Sequence, residues 1–242
     1  MFAQPGDERR RAHPESRRPR RARRIATAVL LTLLAGIGAA GPLLASTTVV
    51  HHGPRSERIV ALTFDDGYHP QAVRAILAAL DDAGIRATFF PTSSAVKASP
   101  AVWRAVAAAG HAIGNHTINH PDLARLDQDA IRHQLTASRT VIERVTGVSQ
   151  IPYARPPYGS WDAAVVRAAG AAGYRRLVLW DVDSRDWRRP SLRTLVANAT
   201  SGRPGSIVLL HTLPGTAQAL PSIIRSYASR GYRFVTVPQL LR

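Results

Sequence analysis

From Ile59 to the C-terminus, short runs rich in β-branched and apolar residues alternate with longer alanine-rich runs. The short runs predict β-strands, and the longer runs have the length and helix propensity of α-helices. Strands are predicted at 59–64, 87–90, 112–115, 176–180, 207–211 and 233–236. Helices are predicted at 71–83, 101–109, 127–146, 161–172, 192–199 and 217–230. This alternation is typical of an α/β fold with a βα-repeating sheet or barrel.

Glycines mark the ends of the predicted helices. A glycine directly after a helix takes the left-handed conformation that ends it without a Cβ clash. Five glycines have this position: Gly84, Gly110, Gly147, Gly173 and Gly231. Their regular spacing supports the predicted alternation of helices and strands.

The N-terminal region differs in composition from the rest of the chain. Residues 1–45 contain nine Arg and three acidic residues, so residues 1–24 predict a basic, disordered cytoplasmic tail. Residues 25–45 carry no charge and are long enough for one apolar helix to span a bilayer. They predict a transmembrane anchor or a signal segment, because Gly38-Ala39-Ala40 also suits a signal peptidase. Residues 46–57 predict a linker, and residues 58–242 predict the folded domain.

Composition limits the chemistry and the partners of this domain. The chain has no cysteine, so any metal must be held by histidine and carboxylate side chains. Its formal net charge is +16. A nucleic-acid-binding role for the Arg-rich tail would give salt-sensitive binding that is lost without residues 1–24. The position of the tail before an apolar segment favours membrane topology instead, so we expect no nucleic-acid partner and infer no obligate protein partner.

Polar residues follow several predicted strands, at the end where α/β folds hold their functional groups. Asp65 and Asp66 end the first strand and precede Gly67. Because side chains alternate along a strand, both carboxylates reach one site only if the chain leaves strand geometry, which Gly67 permits. The alternative is an Asp-Gly turn with two solvated carboxylates.

A histidine pair, His116 and His120, follows the third predicted strand. Two histidines at this spacing can bind zinc or a similar divalent ion from one compact turn. A carboxylate from another strand end would complete a two-His, one-Asp set with open positions for water and substrate. Without that carboxylate, such a pair is more often a surface or structural feature.

Three further segments carry polar or aromatic residues at predicted strand ends. Arg155-Pro156-Pro157-Tyr158-Gly159 predicts a rigid loop that presents Arg155 and a backbone N–H, although a plain Pro-rich loop is the alternative. In the segment 183–187, Trp187 suits either the core or the wall of a sugar site. His211 ends a buried strand, where it could be a catalytic group or a hydrogen-bonded histidine at the core edge.

Together and in this order, the five segments resemble the motifs of the polysaccharide deacetylases of carbohydrate esterase family four. The motifs are Thr-Phe-Asp-Asp-Gly, His-Ser/Thr-x-x-His, an Arg-x-Pro-x-Gly-like segment, Asp-x-x-Asp-Trp and Leu-x-His, and the resemblance covers residues 58–242. It implies a distorted (β/α) barrel that removes N- or O-acetyl groups from sugars. It also implies a divalent metal, usually zinc, with cobalt or another divalent ion possible.

The resemblance assigns a role to each matching residue. It implies the metal ligands Asp66, His116 and His120. It implies the catalytic residues Asp65, Arg155, Asp186 and His211. It implies the substrate-binding residues Tyr158, Trp187 and Leu209. Two positions depart from the family pattern: Tyr68 stands where many relatives have Pro, and Thr212 stands where many have Asp.

Within this set, the resemblance implies that Asp65 is the general base and that Arg155 orients its carboxylate. It implies that His211 is the general acid and that Asp186, rather than Asp183, is its partner. The residue types suit amide hydrolysis, which needs a base for water, a polarised carbonyl and a proton for the leaving amine. A backbone N–H, here that of Tyr158, would help to stabilise the oxyanion.

From the sequence we therefore expect a metal-dependent deacetylase that acts on an N-acetylated glycan. The N-terminal topology predicts a cell-membrane protein with an extracytoplasmic catalytic domain, or a secreted one if the N-terminal segment is cleaved. Peptidoglycan is the favoured substrate, and a chitin-like oligomer is the second. The alternative is a glycan-binding module with the same fold and no catalytic activity.

Overall fold

The computed structural model describes residues 47–242. The predicted tail at 1–24 and the predicted apolar helix at 25–45 lie outside the described residues. Within residues 47–242, every helix is too short or too polar to span a lipid bilayer.

Short strands and longer helices alternate through the described residues. The strands are β1 (Thr48–Val50), β2 (Ile59–Asp66), β3 (Thr88–Pro91), β4 (Ala112–Ile113), β5 (Tyr153–Ala154), β6 (Arg176–Val178), β7 (Val182–Asp183), β8 (Ser206–His211) and β9 (Arg233–Phe234). The helices are α1 (Pro70–Asp82), α2 (Ser93–Ala98), α3 (Pro100–Ala108), α4 (Gln128–Thr146), α5 (Ala163–Ala171), α6 (Leu192–Ala199), α7 (Pro214–Ser229) and α8 (Val237–Leu240).

The strands pair in parallel and form two sheets. The larger sheet has the order β4-β3-β2-β8-β7, with β9 also paired to β2, and the smaller has the order β1-β6-β5. A parallel bridge between Asn115 and Ala154 joins β4 to β5, and an antiparallel bridge between His52 and Ser206 joins the region after β1 to β8. The result is a barrel-like ring of strands that is held at two places by single bridges.

The central strand β2 explains how the fold positions the functional residues. Its residues from Ile59 to Asp65 are all buried, as expected for a parallel strand covered on both faces. Its side chains Val60, Leu62 and Phe64 belong to the largest hydrophobic cluster, which helices α1 and α7 help to form. Because the strands are parallel, their carboxyl ends meet at one edge, where the polar segments lie.

The α/β class predicted from the sequence is confirmed, and each predicted strand and helix has a counterpart. All five predicted end glycines have positive φ angles. The sequence reading missed β1, β5, β7, α2 and α8, which have two to six residues each. Strand β1 lies inside the predicted linker 46–57, so paired structure begins before residue 58. Its three residues are too few to show a period, and their pairing with β6 defines them as a strand.

Candidate active site

The end of β2 brings two adjacent carboxylates to one site. Asp66 has φ +76° and Gly67 has φ +101°, so the chain leaves strand geometry at this point. A Cβ at Gly67 would collide with the buried ring of Trp103, so glycine is required for space as well as for conformation. Thr212 fixes the turn, because its hydroxyl accepts a hydrogen bond from Gly67 N at 2.8 Å.

The two histidines lie on a tight turn after β4. Thr117 and His120 both have positive φ angles, 72° and 65°. The Asn115 carboxamide oxygen accepts a hydrogen bond from Thr117 N at 2.7 Å, and the Thr117 hydroxyl accepts one from His120 N at 3.0 Å. These bonds stabilise the turn in which the imidazole rings of His116 and His120 meet, with centroids 4.8 Å apart.

Asp66, His116 and His120 together form a candidate metal centre. Each offers one ligand atom, and the three atoms lie within 4.8 Å of one another. The Nε2 atoms of both histidines are 3.7 Å from Asp66 Oδ1. That oxygen is buried and has no hydrogen-bond partner within the described residues. A buried, unpaired carboxylate oxygen facing two imidazole nitrogens fits a divalent cation.

The protonation of His116 suits a metal ligand. Its Nδ1 lies 2.7 Å from the backbone oxygen of Arg155 and donates to it, which directs the Nε2 lone pair toward Asp66. Burial lowers the pKa of His116 to about 3, although the Asp66 carboxylate opposes this change. The ring is therefore neutral at physiological pH, as metal coordination requires.

Arg155 holds Asp65 from inside the barrel. The Arg155 side chain is fully buried, and its Nη1 donates to Asp65 Oδ1 at 2.7 Å and to Thr63 Oγ1 at 2.9 Å. Its Nε donates to the carbonyl of Val178, and its guanidinium lies over the Phe90 ring. One oxygen of Asp65 is thus fixed. The other, Oδ2, lies 3.8 Å from His116 Nε2 and points toward the candidate metal centre.

Burial and the ion pair with Arg155 shift the pKa of Asp65 in opposite directions. Burial raises the pKa of Asp65, and the Arg155 guanidinium limits that rise. Burial also lowers the pKa of Arg155, while the Asp65 carboxylate opposes this change. The raised pKa makes the Asp65 carboxylate a stronger base than that of a solvated aspartate.

His211 forms a second pair at the end of β8. Its Nδ1 lies 2.6 Å from Asp186 Oδ1, and its backbone N–H donates to Asp186 Oδ2 at 2.6 Å. The Thr216 hydroxyl also donates to Oδ2, at 2.6 Å. Burial alone would lower the pKa of His211, but the hydrogen bond and charge of Asp186 outweigh it and raise the pKa to about 9. His211 therefore carries a proton at neutral pH.

One cavity of about 520 Å³ joins these groups. Eight of the ten predicted site residues line it, namely Asp65, Asp66, His116, His120, Tyr158, Trp187, Leu209 and His211. The other two, Arg155 and Asp186, are buried and bond to Asp65 and His211. Asp183 also lines the cavity, but its carboxylate accepts a hydrogen bond from Arg185 N and does not pair with His211.

The three predicted substrate-binding residues differ in exposure. Leu209 is buried in the floor of the cavity, Trp187 is 51% exposed, and Tyr158 is 70% exposed. Tyr158 has φ +61°, and its ring packs edge-to-face on His120 with the centroids 4.5 Å apart. Among the backbone hydrogen bonds of the described residues, none uses the Tyr158 N–H, which leaves this donor available to a ligand.

Sequence reasoning missed several residues that build this site. Thr63 and Thr216 fix the buried pairs through their hydroxyls, and Trp180 and Arg189 line the cavity. Hydroxyls in strands and helices give no local signal, because their role depends on a partner distant in the sequence. The family pattern marks Thr212 only as a departure, whereas in the structure its hydroxyl stabilises the Asp66-Gly67 turn.

Comparison with known proteins identifies the relatives of this chain. Residues 52–177 match the family model described as "Polysaccharide deacetylase". A peptidoglycan-N-acetylglucosamine deacetylase of Bacillus cereus is 34% identical over 78% of this chain and 70% of its own length. A chitooligosaccharide deacetylase of Rhizobium leguminosarum bv. trifolii is 37% identical over 76% of this chain and 92% of its own length.

A similar solved structure is BA3943 of Bacillus anthracis, described as a CE4 family pseudoenzyme. It has a TM-score of 0.77 and 29% identity over 80% of this chain and 69% of its own. A mutant of BA3943 described as having restored enzymatic activity matches with the same TM-score. With the family model matching more than half of the chain, and with named deacetylases as relatives, the chain belongs to the polysaccharide deacetylase family of hydrolases.

Proposed function

We propose that this chain is a divalent-metal-dependent hydrolase that removes N-acetyl groups from an extracytoplasmic glycan, with peptidoglycan as the favoured substrate and a chitin-like oligomer as the second. One observation carries the proposal. A base held by Arg155 and an acid held by Asp186 border the same cavity as three candidate metal ligands. The relatives named as peptidoglycan and chitooligosaccharide deacetylases support the choice of substrate class.

In this proposal Asp66, His116 and His120 hold zinc, or cobalt or another divalent ion in its place. The donor set of two neutral imidazoles and one carboxylate suits zinc and leaves positions for water and substrate. When bound, such a cation supplies Lewis acidity, which polarises the acetyl carbonyl and makes water more acidic.

The protein side chains supply the proton transfers. Asp65 accepts a proton from the attacking water through Oδ2, while Arg155 keeps the carboxylate oriented and ionised. The Tyr158 N–H donates to the carbonyl oxygen as negative charge develops on it. His211 then donates its proton to the departing amine nitrogen, and the charge of Asp186 stabilises the imidazolium. Trp187 and Leu209 bound the space for the acetyl group and the sugar.

Acetate release by the full-length protein tests this proposal directly. The protein, loaded with zinc, is incubated with N-acetylglucosamine oligomers and with peptidoglycan. We expect Asp65→Asn to lose about 10²- to 10⁴-fold in rate but to bind zinc, and His120→Ala to lose both activity and zinc. His133→Ala, which changes an exposed histidine on α4, is the matched control and should behave as wild type. Acetate release that survives in Asp65→Asn would contradict the assigned base.

The alternative function is a glycan-binding module without activity. The similarity to a protein described as a pseudoenzyme is the observation that favours this alternative. The full set of acid, base and ligand candidates in one cavity supports catalysis over binding alone. A wild-type protein that binds zinc and glycan but releases no acetate would establish the alternative.

The proposed location outside the cytoplasmic membrane rests on the charged tail and the uncharged segment 25–45. Protease added to spheroplasts that express the full chain should digest the domain containing His211 while cytoplasmic markers stay intact. Protection of that domain would contradict the proposed topology.

A further inference from the structure

The segment between β7 and α6 contains two strained residues. The 3-10 turn Asp186–Arg188 is bracketed by Arg185, with φ +55°, and Arg189, with φ +52°. Residues other than glycine rarely adopt this left-handed conformation, and such residues concentrate at functional sites. The turn places Asp186 against His211 and leaves Trp187 half-exposed at the cavity. It also directs Arg189 to the cavity wall.

Arg189 brings a positive charge to the cavity and forms no ion pair with a carboxylate within residues 47–242. The arginine–carboxylate pairs among residues 47–242 involve Arg55, Arg125, Arg132, Arg155 and Arg233, and none includes Arg189. Within the described residues, Arg189 is the one arginine or lysine that lines the cavity. The nearby Asp183 carboxylate binds the backbone N–H of Arg185. The neighbouring Arg188 lies over the Trp187 ring, with its guanidinium carbon 4.6 Å from the centroid.

We propose that Arg189 determines substrate specificity by binding a carboxylate on the sugar next to the one that loses its acetyl group. This inference rests on the proposed function. Trp187, two residues before Arg189, is exposed at the cavity, and Arg188 lies over one face of its ring, so a sugar ring would pack on the opposite face. Because Trp187 and Arg189 line the same cavity, we expect a sugar in contact with that face to present its substituents to Arg189. The guanidinium fork binds a carboxylate with two hydrogen bonds.

Peptidoglycan and chitin differ in whether the neighbouring sugar carries a carboxylate. In a peptidoglycan strand the sugar beside N-acetylglucosamine is N-acetylmuramic acid. It offers the carboxylate of its lactyl group, or carboxylates of the attached peptide. A chitin-like oligomer has no carboxylate at that position, so Arg189 would distinguish the two substrates.

The test compares glycans that differ in this carboxylate alone. The zinc-loaded full-length protein receives peptide-free glycan strands with free lactyl carboxylates, the same strands with those groups converted to amides, and strands that keep their peptides. An N-acetylglucosamine oligomer is the neutral reference. We expect wild type to prefer the free-carboxylate strands over the amidated ones by about 3- to 10-fold in kcat/KM, through a lower KM. The preference should decrease with added salt.

Arginine variants connect the preference to one side chain. Arg189→Gln should bring the ratio of kcat/KM between free-carboxylate and amidated strands to about one. Arg189→Lys should keep part of the wild-type preference. Arg193→Gln removes an exposed charge on α6 that does not line the cavity and should keep the wild-type ratio. If Arg189→Gln instead removes a preference for the peptide-bearing strands, the carboxylate of the peptide is the group that binds.

The outcomes separate the two proposals. The role of Arg189 is overturned if Arg189→Gln keeps the wild-type ratio of kcat/KM between the strands, or if it loses the same activity on all glycans. Glycan deacetylation stands in both cases. If wild type releases acetate from none of the glycans, the proposed function itself fails, and the specificity role fails with it.

Discussion

Arg155 is a charged residue that the fold buries completely. Its guanidinium is 0% exposed and depends on Asp65 for charge compensation. Removing one partner of a buried ion pair leaves the other charge unpaired in a medium of low dielectric constant. We expect Arg155→Gln to lower the free energy of unfolding by about 3–5 kcal/mol, as measured by urea denaturation.

The control for this change is Arg132→Gln. Arg132 pairs with Asp129 on the exposed surface of α4, so its loss should cost less than about 1 kcal/mol. An equal decrease in the free energy of unfolding for Arg155→Gln and Arg132→Gln would show that burial of the Arg155–Asp65 pair does not determine the effect.

The pairing of His211 with Asp186 determines how the protonation of the proposed general acid, His211, depends on pH. The pKa of His211 is raised from 6.5 to about 9, so the folded protein holds this proton more tightly than the unfolded chain. The stabilisation from the pair is complete below pH 6.5 and is lost as the pH rises through about 9. We expect kcat/KM to fall on the alkaline side with a midpoint of about 9, as read from a pH–rate profile.

Asp186→Asn removes the charge that raises this pKa, and burial then lowers it. The alkaline midpoint should move by more than about one unit toward lower pH, and the titration of His211 in NMR spectra should move with it. Asp129→Asn, at an exposed acid on α4, should leave both unchanged. An alkaline midpoint that stays in place in Asp186→Asn would show that another group sets it.

At the scale of elements, Asn115 connects the histidine turn to the rest of the barrel. Its side-chain nitrogen bonds to the carbonyl of Leu135 and to Tyr174 Oη, and its side-chain oxygen binds Thr117 N. Its backbone carbonyl also accepts from Arg155 N at 2.8 Å. Asn115 therefore links β4, α4 and β5 while holding His116 in place.

We expect Asn115→Ala to lower the free energy of unfolding by about 2–4 kcal/mol, because it leaves several buried polar groups unsatisfied. It should also weaken zinc binding by about 10- to 100-fold, because it loosens the turn that orients His116 and His120. Chemical denaturation and zinc titration measure the two effects. Gln128→Ala, at the exposed start of α4, should change neither. Unaltered zinc affinity in Asn115→Ala would mean that the turn keeps its shape without this side chain.

The elements that the sequence did not predict are all short, although the short strands β4, β6 and β9 were predicted. Helix α4 spans 19 residues and shows its own apolar period, so its presence and its end at Gly147 follow from local patterns. Strands β5 and β7 have two residues each, and a partner strand distant in the sequence defines them. The same holds for the site. The ordered motifs predicted the ten residues, whereas the contribution of Asn115 comes from bonds to residues far along the chain.

At the scale of the whole molecule, the barrel-like ring gathers segments that are more than a hundred residues apart. Asp65 on β2 and His211 on β8 are paired neighbours in the sheet, and the histidine turn follows β4 at the same edge. This edge therefore assembles the candidate metal ligands only in the folded state. The unfolded chain has no such centre, so the proposed metal binding would be thermodynamically linked to folding.

From this linkage we expect zinc to raise the stability of the entire domain. At a free zinc concentration of about 100 times Kd, binding should add about 2.7 kcal/mol, or about 5–10 °C in Tm for a protein of this size. Thermal unfolding of the full-length protein with zinc and then with a chelator measures the difference. His120→Ala should remove most of the shift, whereas Asp65→Asn should retain it because Asp65 is not a proposed ligand. Equal shifts in wild type and His120→Ala would mean that zinc acts elsewhere on the protein, and the assignment of Asp66, His116 and His120 would then be wrong.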